Sequence, residues 1–428
     1  MKIEKACVPK RRALVCATLF SVIVCGVKPA TAQEAHVQVA QAEVVQARGD
    51  GQKQKGQISG VGLYKVRQIS HTERAEIEAL EPPKKFAVVQ ATQIQGQSPS
   101  ELLVSAHEKS LTAATVAELN EVIAILAKAT EQEVSDEDFA YAQKLVSWTL
   151  NRRGEAFTDQ AQEFFEAGQK ENASRLESQA MADFNAALAN DQTRWKARQN
   201  RGIAFALQGD FGKAVIDFSE VIEANPGYIN AWFNRAEIYY EEQQFQKAVK
   251  DYSQVLTLRP GDQGALTGRG HAYFQQGHYE EAYADYNEVT QLSPNDAKSL
   301  TQRGDALCLL EKWEEAADDY RKAIESNHEF ARAYLSASWL MSTCPLERYR
   351  DKELAVAVAQ KAISLHSEDD YRYLDVLAAA HASAENYPVA VSTIEKAITI
   401  APEREQKALQ ERLELYKVNK PYRQLPQK

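Results

Sequence analysis

This 428-residue sequence predicts an all-α solenoid of helix-turn-helix repeats, and three observations carry that prediction. Gly202, Ala236, Gly270 and Gly304 recur every 34 residues, each directly preceded by Arg201, Arg235, Arg269 or Arg303. Ala214, Ala248, Ala282 and Ala316 recur in step and are followed by Phe218, Tyr252, Tyr286 and Tyr320. Pro226, Pro260 and Pro294 close three of these periods. A small residue where two helices cross, an aromatic filling the space beside it and a proline past the second helix together describe one helical hairpin. One hairpin cannot bury its apolar face alone, whereas stacked neighbours can.

The chain opens with Lys2, Lys5, Lys10, Arg11 and Arg12, an apolar run from Ala13 to Val27, and Ala30-Thr31-Ala32 as a small-x-small cleavage site. Residues 1–32 therefore read as a secretory signal peptide. The alternative, a membrane anchor, is disfavoured because the run is shorter than the ~20 apolar residues that cross a bilayer. A lipid-modified Cys25 is weaker still, since bulky Val24 precedes it. Cleavage removes six of the 50 basic and one of the 60 acidic residues, leaving 44 and 59 and a formal charge of −15. The remaining Lys and Arg are scattered among acids, so nucleic acid is not an expected partner. No later stretch is apolar enough to span a membrane once the signal has gone. Cys7, Cys16 and Cys25 leave with the signal; Cys308 and Cys344 remain, without metal-ligand spacing.

Residues 33–60, rich in Gln, Ala, Val and Gly without period, read as a disordered linker. Residues 61–99 leave two readings open. Leu63, Tyr64, Val66 and Ile69, with Phe86, Val88, Val89 and Ile94 beyond Pro82-Pro83, form either two short strands or nothing stable. Residues 100–146 are expected to be N-terminal capping helices, because Val116, Leu119, Val122, Ile123 and Leu126 share one face behind Thr115. Solenoid ends need such covers.

From 147 to 404 seven repeats can be drawn, and their pattern resembles the tetratricopeptide repeat family. Four are plain, at 195–228, 229–262, 263–296 and 297–330. Trp232, Leu266 and Leu300 take the family's large apolar position 4, and Phe205, Tyr239, Tyr273 and Leu307 its position 11. Arg198 departs from the first pattern and His328 replaces the closing proline of the last plain repeat. The repeat at 147–194 supplies Leu150, Arg153, Gly154 and Phe157, then Ala180, Phe184 and Ala187, with 14 extra residues expected between its helices. The repeat at 331–370 breaks at Thr343-Cys344-Pro345 and resumes at Ala355, Ala359 and Ala362. The one at 371–404 is regular, with Leu374, Ala378, Ala390, Ala397 and Pro402. Residues 405–428 are then expected to be a capping helix, striped by Leu409, Leu413 and Tyr416, and a loose tail after Pro421. The resemblance implies a right-handed superhelix.

Charges recur with the repeats. Arg153, Arg201, Arg235, Arg269 and Arg303 stand at repeat position 7, and Asp183, Asp217, Asp251, Asp285 and Asp319 at position 23. The last two repeats lack both, carrying Ala337 with Val358 and Leu377 with Thr393. Residues that appear and vanish together are expected to pair, bridging the two helices of each hairpin and fixing their register.

No catalytic pattern emerges. His71-Thr72-Glu73 and His107-Glu108 do not extend to a His-Glu-x-x-His zinc site, and Gly60-x-Gly62 lacks the third glycine of a dinucleotide loop. Paired acids such as Asp318-Asp319 and Asp369-Asp370 fit solvated helix faces or turns better than acid–base pairs. No enzyme activity, cofactor or metal is expected.

The resemblance also implies where a partner would lie, since the family's first helices line a groove with positions 2, 5, 6, 9, 12 and 13. Here these include Lys196, Gln199, Asn200, Asn230, Phe233, Asn234, Glu237, Tyr240, His271, Phe274, Asp305 and Trp339. Amides, aromatics and charges suit an extended protein or peptide segment. The family's carboxylate clamp is absent, because Ile203, Glu237, His271 and Asp305 stand at position 9. Asn200 and Asn234 resemble an asparagine ladder that holds peptide amides, and equally fit solvated helix residues. The leading expectation is an exported, non-enzymatic scaffold of a bacterial cell envelope, periplasmic or secreted, binding protein partners. The alternative places an active or accessory part in residues 61–146, with the repeats recruiting substrate. The oligomeric state is left open.

Overall fold

The computed structural model describes residues 98–367 and 369–424. The expected signal peptide at 1–32, the expected linker at 33–60 and nearly all of residues 61–99 lie outside them. Among the described residues every regular element is a helix, so the chain has the all-α solenoid class that its period predicts. The described residues fall into two compact bodies, one ending at Ile238 and one beginning at Tyr239.

The N-terminal body opens with α1 (Pro99–Ser110), α2 (Val116–Thr130), α3 (Asp136–Glu166) and α4 (Lys170–Asn190). Helices α1 and α2 start at capping boxes, in which Ser98 pairs with Glu101 and Thr115 with Glu118, each satisfying two orphan N–H groups. Ser135 caps α3, with three acids in its first turn suiting the positive end of the dipole. Leu103, Leu119, Leu126, Leu145 and Trp148 close one core over these helices. The boundary drawn at 146 therefore falls inside α3, which is one unbroken helix of 31 residues. The 14-residue insertion of the first repeat lengthens α3 and α4 instead of forming a loop. Helices α5 (Trp195–Leu207) and α6 (Phe211–Ala224) follow, and the division between bodies falls within α7 (Ile229–Glu241).

The C-terminal body holds α8 (Phe245–Leu258), α9 (Gln263–Gln276), α10 (Tyr279–Leu292), α11 (Ala297–Leu309), α12 (Trp313–Ser326) and α13 (Ala331–Thr343). A 3₁₀ turn at Glu347–Tyr349 precedes α14 (Lys352–Leu365), α15 (Tyr371–Ser383), α16 (Tyr387–Ile400) and α17 (Glu403–Lys417). Pro260 and Pro294 stand two residues beyond the ends of α8 and α10, past where a helix can continue. Leu409, Leu413 and Tyr416 seat α17 on Leu374, Ala378 and Ile394, covering the last hairpin.

The period has a steric cause. A Cβ added at Gly154, Gly202, Gly270 or Gly304 would come within 2.5, 2.8, 2.7 and 2.6 Å of the rings of Phe184, Phe218, Tyr286 and Tyr320. Each of these four first helices thus lies on the aromatic of its own second helix, closer than a residue with a Cβ could come without a shift. A buried ring of this size contributes about 1.5–3 kcal/mol of apolar transfer free energy.

Candidate functional site

Four arginines grip the aspartates of their own hairpins with two parallel hydrogen bonds each. Nε and Nη2 of Arg153 donate to Asp183 at 2.7 and 2.6 Å, and those of Arg201 to Asp217 at 2.8 and 2.7 Å. In the C-terminal body Arg269 binds Asp285 at 2.9 and 2.7 Å, and Arg303 binds Asp319 at 2.7 Å twice. Arg235 and Asp251 belong to different bodies. The aspartates are buried, whereas the guanidinium groups keep an edge in solvent. Hydrogen bonding to Asp217, Asp285 and Asp319 raises the pKa of Arg201, Arg269 and Arg303 further.

A third bond escaped the sequence reading. Nη1 reaches back to the preceding second helix, from Arg201 to Asn185 at 3.1 Å, Arg235 to Ser219 at 2.8 Å, Arg269 to Ser253 at 3.2 Å and Arg303 to Asn287 at 2.8 Å. The signal was there: Asn185, Ser219, Ser253 and Asn287 recur every 34 residues. Each of these arginines therefore joins one repeat to the one before.

The expected groove residues are distributed between the bodies, Lys196 to Glu237 in the N-terminal and Tyr240, His271 and Phe274 in the C-terminal. Gln199, Phe233, Asn234, Tyr240 and His271 are buried, so they do not form an open lining. Asn200 is engaged within the fold: Nδ2 donates to Asn151 at 3.0 Å and to Glu155 at 2.8 Å. Glu155 also accepts from Asn151 at 2.9 Å and from Arg152 at 2.7 Å. Gln199 and Asn234 stand one repeat on at the positions of Asn151 and Asn200, yet neither side-chain amide has a hydrogen-bond partner. Lys196 lies over the Trp195 ring at 5.6 Å, Asn230 reaches Tyr228 only at 3.5 Å, and Glu237 is half-buried.

In the C-terminal body Tyr240 stands edge-on to Phe245 at 5.4 Å, and half-buried Phe274 edge-on to Tyr279 at 5.3 Å. Gln302 donates its amide to Nε2 of His271 at 2.7 Å; burial, with Lys298 and Arg332 nearby, pushes that imidazole down to about 3. Asp305 accepts from the Tyr320 hydroxyl and from Arg332, both at 2.8 Å. Cys308 and Cys344 are buried free thiols, and burial pushes Cys308 up to about 12. Among the described residues no three His, Cys, Asp or Glu side chains gather where a metal could sit, and no helix is long and apolar enough to cross a membrane.

The tail is not loose as far as it is described: residues 421–424 are half-buried and return to α13. Tyr422 faces Trp339 with ring centroids 5.7 Å apart.

Comparison with known families finds three tetratricopeptide models, described as "Tetratricopeptide repeat" at residues 178–229 and 229–262 and "TPR repeat" at residues 270–307. No curated protein matches the chain in sequence. Among solved structures, a tetratricopeptide repeat protein from Parabacteroides merdae is 18% identical over 62% of this chain and 98% of its own, with a TM-score of 0.47. The pilF protein of Pseudomonas aeruginosa is 15% identical over 50% of this chain and 91% of its own, at 0.40. YrrB, titled "a TPR protein with an unusual peptide-binding site", is 18% identical over 42% and 88%, at 0.35.

Proposed function

We propose that this chain, which matches tetratricopeptide repeat models at residues 178–262 and 270–307, is an exported scaffold whose first helices take extended segments of protein partners in the bacterial cell envelope. The observation that carries the reading is the pair of buried, unpartnered amides of Gln199 and Asn234. Folded chains pair more than about nine-tenths of their buried polar groups, and each one left unpaired costs about 1–3 kcal/mol. The two amides stand at neighbouring repeat positions with all four of their donor and acceptor atoms unused. A partner's peptide groups supply the donors and acceptors that they lack, and those bonds offset the opening needed to reach side chains now covered. Export rests on residues 1–32, and the scaffold role without catalysis rests on the repeat family.

The test replaces both amides by an apolar residue of similar size, Gln199→Leu with Asn234→Leu. Removing unpaired polar groups leaves stability unchanged or raises it. Crosslinked capture of the partner from envelope extract should fall at least tenfold at the same time. A more stable double variant that captures the same partner undiminished would show the amides to be structural defects only.

A further inference from the structure

Helix α17 ends in a left-handed residue, Asn419 with φ 55°, and the Lys420 N–H bonds back to the Leu415 carbonyl at 2.9 Å. That turn closes the helix, and Pro421 prevents its continuation. The chain then runs to the C-terminal end of α13, where helix geometry leaves carbonyls without partners. The Gln424 N–H donates to the Thr343 carbonyl at 2.8 Å, and Nη1 of Arg423 donates to the Ser342 carbonyl at 2.8 Å. Beside them the Arg412 guanidinium sits 5.5 Å from the Tyr422 ring and 5.8 Å from that of Trp339. Arg412 is itself fixed by two bonds of 2.8 Å to Asp375.

The seat is built from residues outside the tail. Trp339, Arg412, Asp375 and the two carbonyls all precede Pro421, and α17 is held mainly by the buried Leu409, Leu413 and Tyr416, against which Tyr422 adds a half-buried ring. What the tail contributes is one aromatic ring, one guanidinium and one backbone N–H, with none of residues 421–424 fully buried. Those are the contacts of a docked segment: Tyr422 packs against the edge of the core that holds Leu409, Leu413 and Tyr416 and is only half-buried there. Trp339 and Asp375 also occupy repeat positions 9 and 5, on the first-helix face given above to partners.

We infer that the platform of Trp339, Arg412 and the Ser342 and Thr343 carbonyls is a docking site for an extended segment carrying an aromatic residue followed by arginine, with Tyr422-Arg423-Gln424 as its resident occupant. The inference rests on the segment-binding reading above and adds where such a segment docks and by what chemistry. A tethered occupant competes at an effective concentration on the order of millimolar, so an incoming segment meets a threshold that the emptied site lacks.

The experiment uses the otherwise complete chain with residues 421–428 deleted, which keeps the Asn419–Lys420 turn, and a fluorescent peptide of residues 420–428 as probe. Anisotropy titration should show the peptide binding the deleted chain at least tenfold more tightly than the intact one. Changing Tyr422 and Arg423 of the peptide to Ala, or Trp339→Ala in the deleted chain, should abolish that binding. Should the deletion fail to fold by circular dichroism, Tyr422→Ala with Arg423→Ala in the intact chain empties the seat while leaving α17 whole, and must then take the same probe. No binding to a folded, emptied chain, or equal binding to emptied and intact chains, overturns the inference. Neither result touches Gln199 and Asn234, so the broader reading would stand or fall on its own test.

Discussion

Gly304 lies so close to Tyr320 that a methyl group on its Cα would stand 2.6 Å from the ring. The ring cannot easily retreat, because its hydroxyl is bonded to Asp305 at 2.8 Å. Gly304→Ala gains about 1 kcal/mol of helix propensity and loses about 1–3 kcal/mol to overpacking, so the net change should be destabilising. Gly212, exposed in α6 with nothing near its missing Cβ, is the control. Gly212→Ala should stabilise by up to about 1 kcal/mol, and urea unfolding of the two variants should give opposite signs.

Breaking an ion pair should cost more than removing it. Arg303→Met leaves Asp319 buried without its partner, at a cost near the lower end of about 3–5 kcal/mol because the guanidinium is partly exposed. Adding Asp319→Leu removes the stranded charge and should recover much of that loss. A double-mutant cycle in urea measures both; a double variant as unstable as the single one would mean that the pair contributes little through charge.

His271 makes stability depend on acid in a known direction. Its folded pKa is pushed down to about 3, whereas an unfolded histidine titrates near 6.5. The unfolded chain therefore binds the extra proton first, and this contribution, complete above pH 6.5, is lost as pH falls towards 3. The groups around the ring are Gln302, Lys298, Arg332, Tyr240 and Tyr286. Across that window the intact chain should weaken relative to His271→Gln by up to about 1.4 kcal/mol per pH unit. Parallel stability curves for the two proteins would mean that the ring is not buried neutral.

The two thiols should be inert in the native protein and both reactive once it unfolds. Cys308 is 9% exposed and Cys344 fully buried, and burial raises both pKa values, which suppresses the thiolate that reacts. Thiol labelling of native and of unfolded, unreduced protein checks this. Failure of Cys308 and Cys344 to label after unfolding would reveal a disulfide that the free cysteines of this structure do not form.

What could be read in advance follows from where the physics is local. The glycine-on-ring contact and the Arg–Asp grip recur at fixed spacing, so their period stands in the sequence before any coordinates. The backward bond to Asn185, Ser219, Ser253 and Asn287 was equally periodic, but serine and asparagine on a helix look like ordinary solvated residues. Burial of Gln199 and Asn234 was not legible, because an amide looks the same whether it faces water or a neighbouring helix. The length of α3 was hidden because its second half follows one repeat's pattern while its first half caps the array. The return of the tail depends on carbonyls of α13 some eighty residues away, which no local pattern encodes.

Arg201, Arg269 and Arg303 each reach sixteen residues forward and sixteen back, so the joint between repeats is written entirely within half a period on either side. Such a joint does not record which repeat it belongs to. Excision of residues 263–296 would bring Arg303 into the register now held by Arg269, facing Ser253 in place of Asn287 and finding a hydroxyl where it had an amide oxygen. Duplication or loss of one whole repeat in this part of the array thus leaves every surviving seam with a chemically valid closure, and length becomes a property that can change by whole steps without inventing a new interface.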